Sequence, residues 1–166
     1  ADLEFTQTGR EYLLRELLDG IAADYTHIII DSPPALGIMT INALTASRDI
    51  VIPVGADIFS LQGLQQLLST VDKVKKYSNP ALILAGVLIT RKGQRAIATK
   101  QLIEAIQERA AALNAHLYRA TIREAIAIKE AQIMQSSIFD SHAKAKATAD
   151  YKAFIDEYLA QEAYRA

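Results

Sequence analysis

Several features are missing from this 166-residue chain, and each absence narrows its chemistry. There is no cysteine, which excludes disulfides, thiolate metal sites and cysteine nucleophiles. The net charge of -1 arises from 18 Lys and Arg against 19 Asp and Glu, so the chain does not coat nucleic acid by bulk positive charge. No apolar run approaches the ~20 residues of a membrane helix, and no basic start precedes an apolar segment. We therefore expect a cytoplasmic protein without a membrane partner.

The hydrophobic pattern predicts one compact α/β domain over residues 1–166. Apolar residues recur at helical spacing in one set of segments and form short unbroken runs in another. The helical segments are residues 9–25, 60–76, 102–113 and 151–159, the apolar runs are 28–30, 49–54 and 82–89, and 116–118 is a further candidate strand. Their alternation predicts a doubly wound, mostly parallel sheet of about four strands with helices on both faces. Pro53 indicates that its strand ends there or lies at an edge.

The most informative segment is IIIDSPPALG, residues 28–37. Three consecutive isoleucines predict a strand covered on both faces. Asp31 then follows at the carboxyl end of that strand, where parallel sheets bind ligands and where α/β nucleotide enzymes hold magnesium. The alternative is that Asp31 only accepts hydrogen bonds from turn amides, since Asp-Ser-Pro-Pro is also ordinary turn chemistry.

Residues 25–68 resemble the ParA-type (Soj-like) partition ATPases, P-loop proteins of the deviant Walker A class that move plasmids and chromosomes. The segment at 28–37 is similar to their Walker B motif, and TINALTASRDIVIPV (40–54) and FSLQGLQQLL (59–68) are similar to the segments that follow it. GVLITRKGQRA (86–96) and TIREAIAIKEAQ (121–132) resemble the loops that border adenine and face DNA, and DYKAFIDEYL (150–159) resembles the closing helix. The resemblance implies the carboxyl-terminal part of a P-loop NTPase domain, without its amino-terminal P-loop strand.

The resemblance also implies roles for individual residues. Asp31 would hold magnesium through water, and a second group would border the base: Thr90, Arg91, Ile122 and Arg123. A third group would approach DNA phosphates: Lys92, Arg95, Lys100 and Lys129. Many relatives have Ile-Pro where this chain has Ile122 and Arg123, so Arg123 could itself reach nucleotide or DNA, or pair with Glu124. A solvated loop is the ordinary alternative for the basic residues.

The chain contains no glycine-rich loop of the type Lys-Gly-Gly-x-Gly-Lys-Thr, with which the family cradles phosphates. Phosphoryl transfer depends on positioning and charge stabilisation, so we predict that this chain alone hydrolyses no ATP and binds neither ATP nor magnesium tightly. The full-length parent would use both, form a homodimer or oligomer, bind DNA without sequence preference at the bacterial nucleoid, and respond to a ParB-type partner.

A different class of function stays open. The chain could be a natural P-loop-less regulator that binds a full-length ParA, and the upstream reading frame would separate the two. In either case a sheet that lacks its P-loop strand should expose apolar edges and favour self-association, so we expect an oligomer or a rearranged sheet.

Overall fold

The computed structural model describes residues 9–33, 35–55, 58–92, 96–112 and 115–165, without the side chains of 58–62, 96–100, 102 and 109. In these ranges the strands are β1 (Asp49–Gly55), β2 (Ile83–Lys92) and β3 (Leu117–Arg123). The helices are α1 (Leu13–Asp19), α2 (Ile38–Ala46), α3 (Ile58–Tyr77), α4 (Ala96–Ala112), α5 (Ile126–Ile133), α6 (Ile138–Ser141) and α7 (Lys146–Arg165), with a 3-10 turn at Ala22–Asp24. Of the helices in this part of the chain, none combines the length and apolar character needed to cross a bilayer.

The three strands form one parallel sheet in the order β1-β2-β3, which confirms the predicted α/β class. The central strand β2 contains the buried run Ala85–Ile89, and such a run is typical of a strand covered on both faces. Pro53 is exposed on the outer strand β1, where a residue without an N–H group is tolerated.

The strand predicted at residues 28–30 is wrong. Residues 27–33 form neither helix nor strand, and Ile29 is 93% exposed. A β-strand needs a neighbour that pairs with its N–H and C=O groups, and the sheet of the described residues consists of β1, β2 and β3 alone. The isoleucines have the propensity for a strand, but no strand in the described part of the chain pairs with them.

The chain divides into two compact units, and the division falls within β1 and β2. The first unit comprises Ala1–Ile50 and Gly63–Leu84. Its core joins α2, α3 and the residue before β2 through Leu44, Val71, Val74 and Leu82. The apolar stripe of α3 is therefore buried, as its helical spacing predicts.

In the first unit, a buried side chain on α2 holds the beginning of α1. Asn42 is 2% exposed, and its Oδ1 accepts a hydrogen bond from the Leu14 N–H at 3.1 Å. Its Nδ2 donates to the carbonyl oxygens of Arg10 at 2.7 Å and Ile38 at 3.1 Å. The residue before α1, Tyr12, makes no side-chain capping bond. Asn42 therefore supplies from α2 a partner that the first turn of α1 otherwise lacks.

The second unit comprises Val51–Gln62 and Ala85–Ala166. Its core contains Leu88, Tyr118 and Ile122, against which Phe154 and Tyr158 of α7 pack. The Tyr118 and Phe154 rings meet edge to face, with 5.0 Å between centroids, a favoured aromatic geometry.

Helix α7 also covers the outer strand β3 with polar side chains. Glu157 accepts hydrogen bonds from the backbone N–H groups of Arg119 at 3.0 Å and Ala120 at 3.1 Å. Gln161 accepts from the Tyr118 hydroxyl at 3.1 Å and donates to the Ala85 carbonyl oxygen at 2.9 Å. Side chains of α7 thus satisfy main-chain groups of an outer strand that would otherwise need water or another strand.

Candidate functional site

Asp31 lies in the irregular segment before α2, and its side chain is exposed. It accepts no hydrogen bond from a described residue, whereas the turn after it is tied by the Thr40 hydroxyl, which donates to the Ala35 carbonyl oxygen at 2.6 Å. The carboxylate is therefore open to solvent. Its role as a magnesium ligand stays a prediction.

The described residues do not assemble three acidic or histidine ligands at one point. Magnesium favours six oxygen ligands, commonly one or two carboxylates completed by water and substrate phosphates. Asp31, as a single exposed carboxylate, is compatible with that pattern.

A bulge at the carboxyl ends of β2 and β3 gathers basic residues. Ile89 pairs with Thr121 and Lys92 pairs with Arg123, so β2 contains one residue more than β3 between these two pairs. Within the longer stretch Arg91 has a φ of 51°, a left-handed conformation that is uncommon outside glycine. Bulges of this kind redirect side chains. This bulge places Lys92 opposite Arg123.

Arg123 is paired with an acidic residue of α7. Its Nε donates to Oδ2 of Asp150 at 2.6 Å and its Nη2 donates to Oδ1 at 2.7 Å. The backbone N–H of Arg123 also donates to Oδ2, at 3.2 Å. The expectation that Arg123 pairs with Glu124 is therefore wrong. The reason is that the Asp150 carboxylate accepts two hydrogen bonds from the guanidinium of Arg123 and a third from its backbone N–H.

Arg123 and Asp150 shift each other's pKa. The hydrogen bond from Arg123 is the main cause that lowers the pKa of Asp150, against a smaller opposing effect of burial, and the positive charge of Lys92 lowers it further. In turn, the hydrogen bond to Asp150 raises the pKa of Arg123. Both groups are thus charged throughout the neutral range, and Lys92 lies close enough to be felt by the carboxylate.

The remaining predicted residues have mixed surroundings. Thr90 is half-buried in β2, and Ile122 is 2% exposed and packs in the core, so any contact of Ile122 with a base would have to come from its backbone. The Lys129 Nζ donates to Oε1 of Glu124 at 3.1 Å, and both side chains are exposed, so this ion pair adds little stability. Arg95 lies outside the described residues, and Lys100 lies on α4 with its side chain outside them.

The structure brings Lys92 and Arg123 together in the second unit and adds Asp150, which sequence reasoning missed. Asp150 lies 27 residues after Arg123, so only a sheet register and a docked α7 could reveal the pair. The one available signal was the spacing of Asp150, Phe154, Glu157 and Gln161, which places them on one face of a helix. Asp31 belongs to the first unit.

Residues 1–84 match a family described as an AAA domain. The chain is 44% identical over 109 residues to the sporulation initiation inhibitor protein Soj of Bacillus subtilis, covering 65% of this chain and 43% of that protein. It is 43% identical over 101 residues to the chromosome partitioning protein ParA of Myxococcus xanthus, covering 61% and 36%. It is 30% identical over 164 residues to the chromosome partitioning protein ParA of Caulobacter vibrioides, covering 97% and 60%.

Solved structures support the same fold. A cobyrinic acid a,c-diamide synthase from Mycobacterium smegmatis with bound ATP analog and magnesium has a TM-score of 0.75 at 27% identity, covering 93% of this chain and 55% of that one. A plasmid partition protein from Borrelia burgdorferi has a TM-score of 0.69 at 20% identity, covering 94% and 56%. At that identity the second likeness concerns the fold alone.

The chain therefore spans between about a third and three fifths of the length of these curated relatives. The family match covers 1–84, and the similarity to the Caulobacter protein extends along almost the whole chain. The chain belongs to the AAA domain family of ParA-type partition ATPases.

Proposed function

We propose that this chain is part of an ATPase that partitions plasmids or chromosomes in the bacterial cytoplasm. In this proposal the complete protein binds ATP with magnesium, dimerises, binds DNA without sequence preference and works with a ParB-type partner. The observation that carries the proposal is the 30% identity with a chromosome partitioning protein over 97% of the chain. The match over residues 1–84 supports it, since that range includes Asp31.

Asp31 is the proposed magnesium residue, acting through water. When bound, the ion neutralises charge on the nucleotide phosphates. The open position of the Asp31 carboxylate supports this role, because a water-mediated ligand has to face solvent or nucleotide rather than a packed core. Asn at this position would keep the size of the side chain and remove its charge, so it isolates the electrostatic contribution.

We expect the isolated chain to turn over no ATP, because no glycine-rich lysine loop occurs in its sequence to position the phosphates. The test is a phosphate-release assay on the purified chain with and without magnesium. Asp31→Asn is compared with Asp24→Asn, a matched change at an exposed residue of the 3-10 turn. Magnesium-dependent turnover that Asp31→Asn lowers and Asp24→Asn leaves unchanged would contradict inactivity of the chain alone.

The role of Asp31 itself is tested in the longest available form of the protein. Magnesium-dependent binding of labelled ATP should fall in Asp31→Asn and stay at the wild-type level in Asp24→Asn. Equal binding by the two variants would remove Asp31 from the nucleotide site.

DNA binding is proposed for basic residues at the end of β2 and after β3, above all Lys92, the last residue of β2, and Lys129 on α5. The test measures the affinity of the longest available form of the protein for mixed-sequence DNA duplexes, by fluorescence anisotropy over a range of salt concentrations. Loss of one phosphate contact should lower the salt slope by roughly one unit. Lys92→Ala should show this loss, and Lys152→Ala on α7, an exposed residue with the same charge change, should not. Equal slopes for the two variants would exclude Lys92 from the interface.

A further inference from the structure

Arg123 is held so that only part of its guanidinium group is used. Of the five N–H groups of an arginine, the Asp150 carboxylate takes one on Nε and one on Nη2. The Nη1 group and the second N–H of Nη2 make no contact with Asp150. The side chain of Arg123 is 45% exposed, whereas that of Asp150 is 13% exposed. The carboxylate thus lies on the inner side and the guanidinium on the outer side of the pair.

A second cation, Lys92, lies within electrostatic range of the same carboxylate. Lys92 pairs in register with Arg123 across the bulge, its side chain is exposed, and its charge contributes to the lowered pKa of Asp150. The Lys92 carbonyl oxygen accepts the next backbone N–H, that of Glu124, at 3.4 Å. The bulge and the left-handed Arg91 therefore set one lysine and one oriented arginine at the same end of the sheet.

We propose that Asp150 is a positioning residue for DNA binding: it fixes the guanidinium of Arg123 so that its outer N–H groups, together with Lys92, bind a phosphate of the DNA backbone. The inference rests on the proposed DNA-binding function. An arginine whose rotamers are already restricted loses less conformational entropy when it binds. Bidentate arginine geometry matches the oxygens of a phosphate as it matches those of a carboxylate.

A general charge effect and a positioning role of Asp150 predict opposite effects of Asp150→Asn on the affinity for DNA. Asp150→Asn removes a negative charge, so general electrostatics would strengthen binding to a polyanion. If Asp150 orients Arg123, the same change weakens binding. Asp156→Asn provides the matched control, because Asp156 is exposed on the same helix and its substitution changes the net charge equally.

The experiment uses the longest available form of the protein with ATP and magnesium, and it measures the affinity for a mixed-sequence DNA duplex by anisotropy across a salt series. We expect Asp150→Asn to bind roughly tenfold more weakly than Asp156→Asn, the size of one charge-assisted hydrogen bond. The salt slope should fall by roughly one unit, which a mere loss of folded protein would not produce. In an Arg123→Ala background, Asp150→Asn should change the affinity only as much as Asp156→Asn does, because only the general charge effect remains.

Arg123→Lys keeps the net charge and a positive partner for Asp150 but loses the forked N–H donors of the guanidinium. It therefore tests the proposal even if Asp150→Asn unfolds. It should bind DNA roughly tenfold more weakly than the wild type. Binding by Arg123→Lys equal to wild type, or by Asp150→Asn equal to or stronger than Asp156→Asn, would overturn the positioning role while leaving DNA binding intact. Absence of DNA binding by the wild-type form of that protein with ATP and magnesium would instead refute the proposed function on which the role depends.

Discussion

At Gly86, strand β2 passes so close to the segment leading into β3 that a side chain has no room. A Cβ atom there would lie 2.7 Å from the His116 carbonyl oxygen and 2.7 Å from Cε2 of Tyr118. We therefore expect Gly86→Ala to lower the free energy of unfolding by about 1–3 kcal/mol, measured by urea denaturation.

Gly63 supplies the matched control for this prediction. It lies within helix α3, and a Cβ atom there would meet nothing within 4 Å. Gly63→Ala should raise the free energy of unfolding by roughly 0.5–1 kcal/mol, because alanine favours a helix interior. Equal effects of the two substitutions would contradict the close approach at Gly86.

Asn42 gives a second prediction at the residue scale. Asn42→Ala removes three hydrogen bonds at a buried position, and leaving buried partners unpaired costs about 1–3 kcal/mol. Urea denaturation should show a loss of that size, and hydrogen exchange at the Leu14 amide should speed up first. Gln66→Ala, at an exposed position of α3, should change neither. Unaltered exchange at Leu14 in Asn42→Ala would contradict the role given to Asn42.

At the level of elements, the contact between α7 and β3 depends on ionised carboxylates. Burial alone would raise the pKa of Glu157, but the backbone N–H groups of Arg119 and Ala120, together with His116, lower it overall. The pKa of Asp150 is lowered as well. A carboxyl whose pKa is lower in the folded chain stabilises the fold above its unfolded pKa, and this contribution is lost as the pH falls through the folded value.

We therefore expect α7 to detach as the pH falls below about 4, the usual range of these carboxyls. Glu157→Gln should lower stability at neutral pH and flatten the decline of stability on acidification, measured by urea denaturation at a series of pH values. Asp156→Asn, which changes an exposed carboxyl of the same helix, should leave the profile as it is in the wild type. Parallel acid profiles for wild type and Glu157→Gln would refute the assignment.

Sequence periodicity predicted most of the elements that have an apolar stripe or a long apolar run. The segments at 60–76 and 82–89 correspond to α3 and β2, because their own residues supply a buried face. The isoleucine run at 28–30 also has a high β propensity, but no strand in the described part of the chain pairs with it. The short helices α5 and α6 escaped prediction, because exposed Ile126, Ile133 and Phe139 leave them without a clear buried stripe.

The candidate site was predictable only in part, for a related reason. Lys92 and Arg123 are recognisable as basic residues near predicted strand ends. Their pairing depends on a one-residue bulge, and the choice of Asp150 over Glu124 depends on where α7 lies against β3. A bulge leaves no local sequence pattern, and helical spacing indicates which residues of α7 share a face but not where that face lies against β3.

At the scale of the whole molecule, the unpaired isoleucines predict self-association. Ile29 is 93% exposed and Ile28 is 40% exposed, and neighbouring chains can bury such extended apolar segments. Replacing both residues with serine should shift the chain toward monomer in sedimentation velocity at high concentration. Tyr164→Ser, at a residue that is also 93% exposed, should leave the distribution unchanged. A wild-type chain that stays monomeric at high concentration would contradict the prediction.

The hydrogen bonds of Asp150 also have an evolutionary consequence. The carboxylate serves both the backbone N–H and the guanidinium of Arg123, and a proline at position 123 would abolish both donors at once. Homologues with proline there are released from any need for an acid at position 150, whereas those with arginine are not. The two positions should therefore coevolve, although 27 residues separate them along the chain.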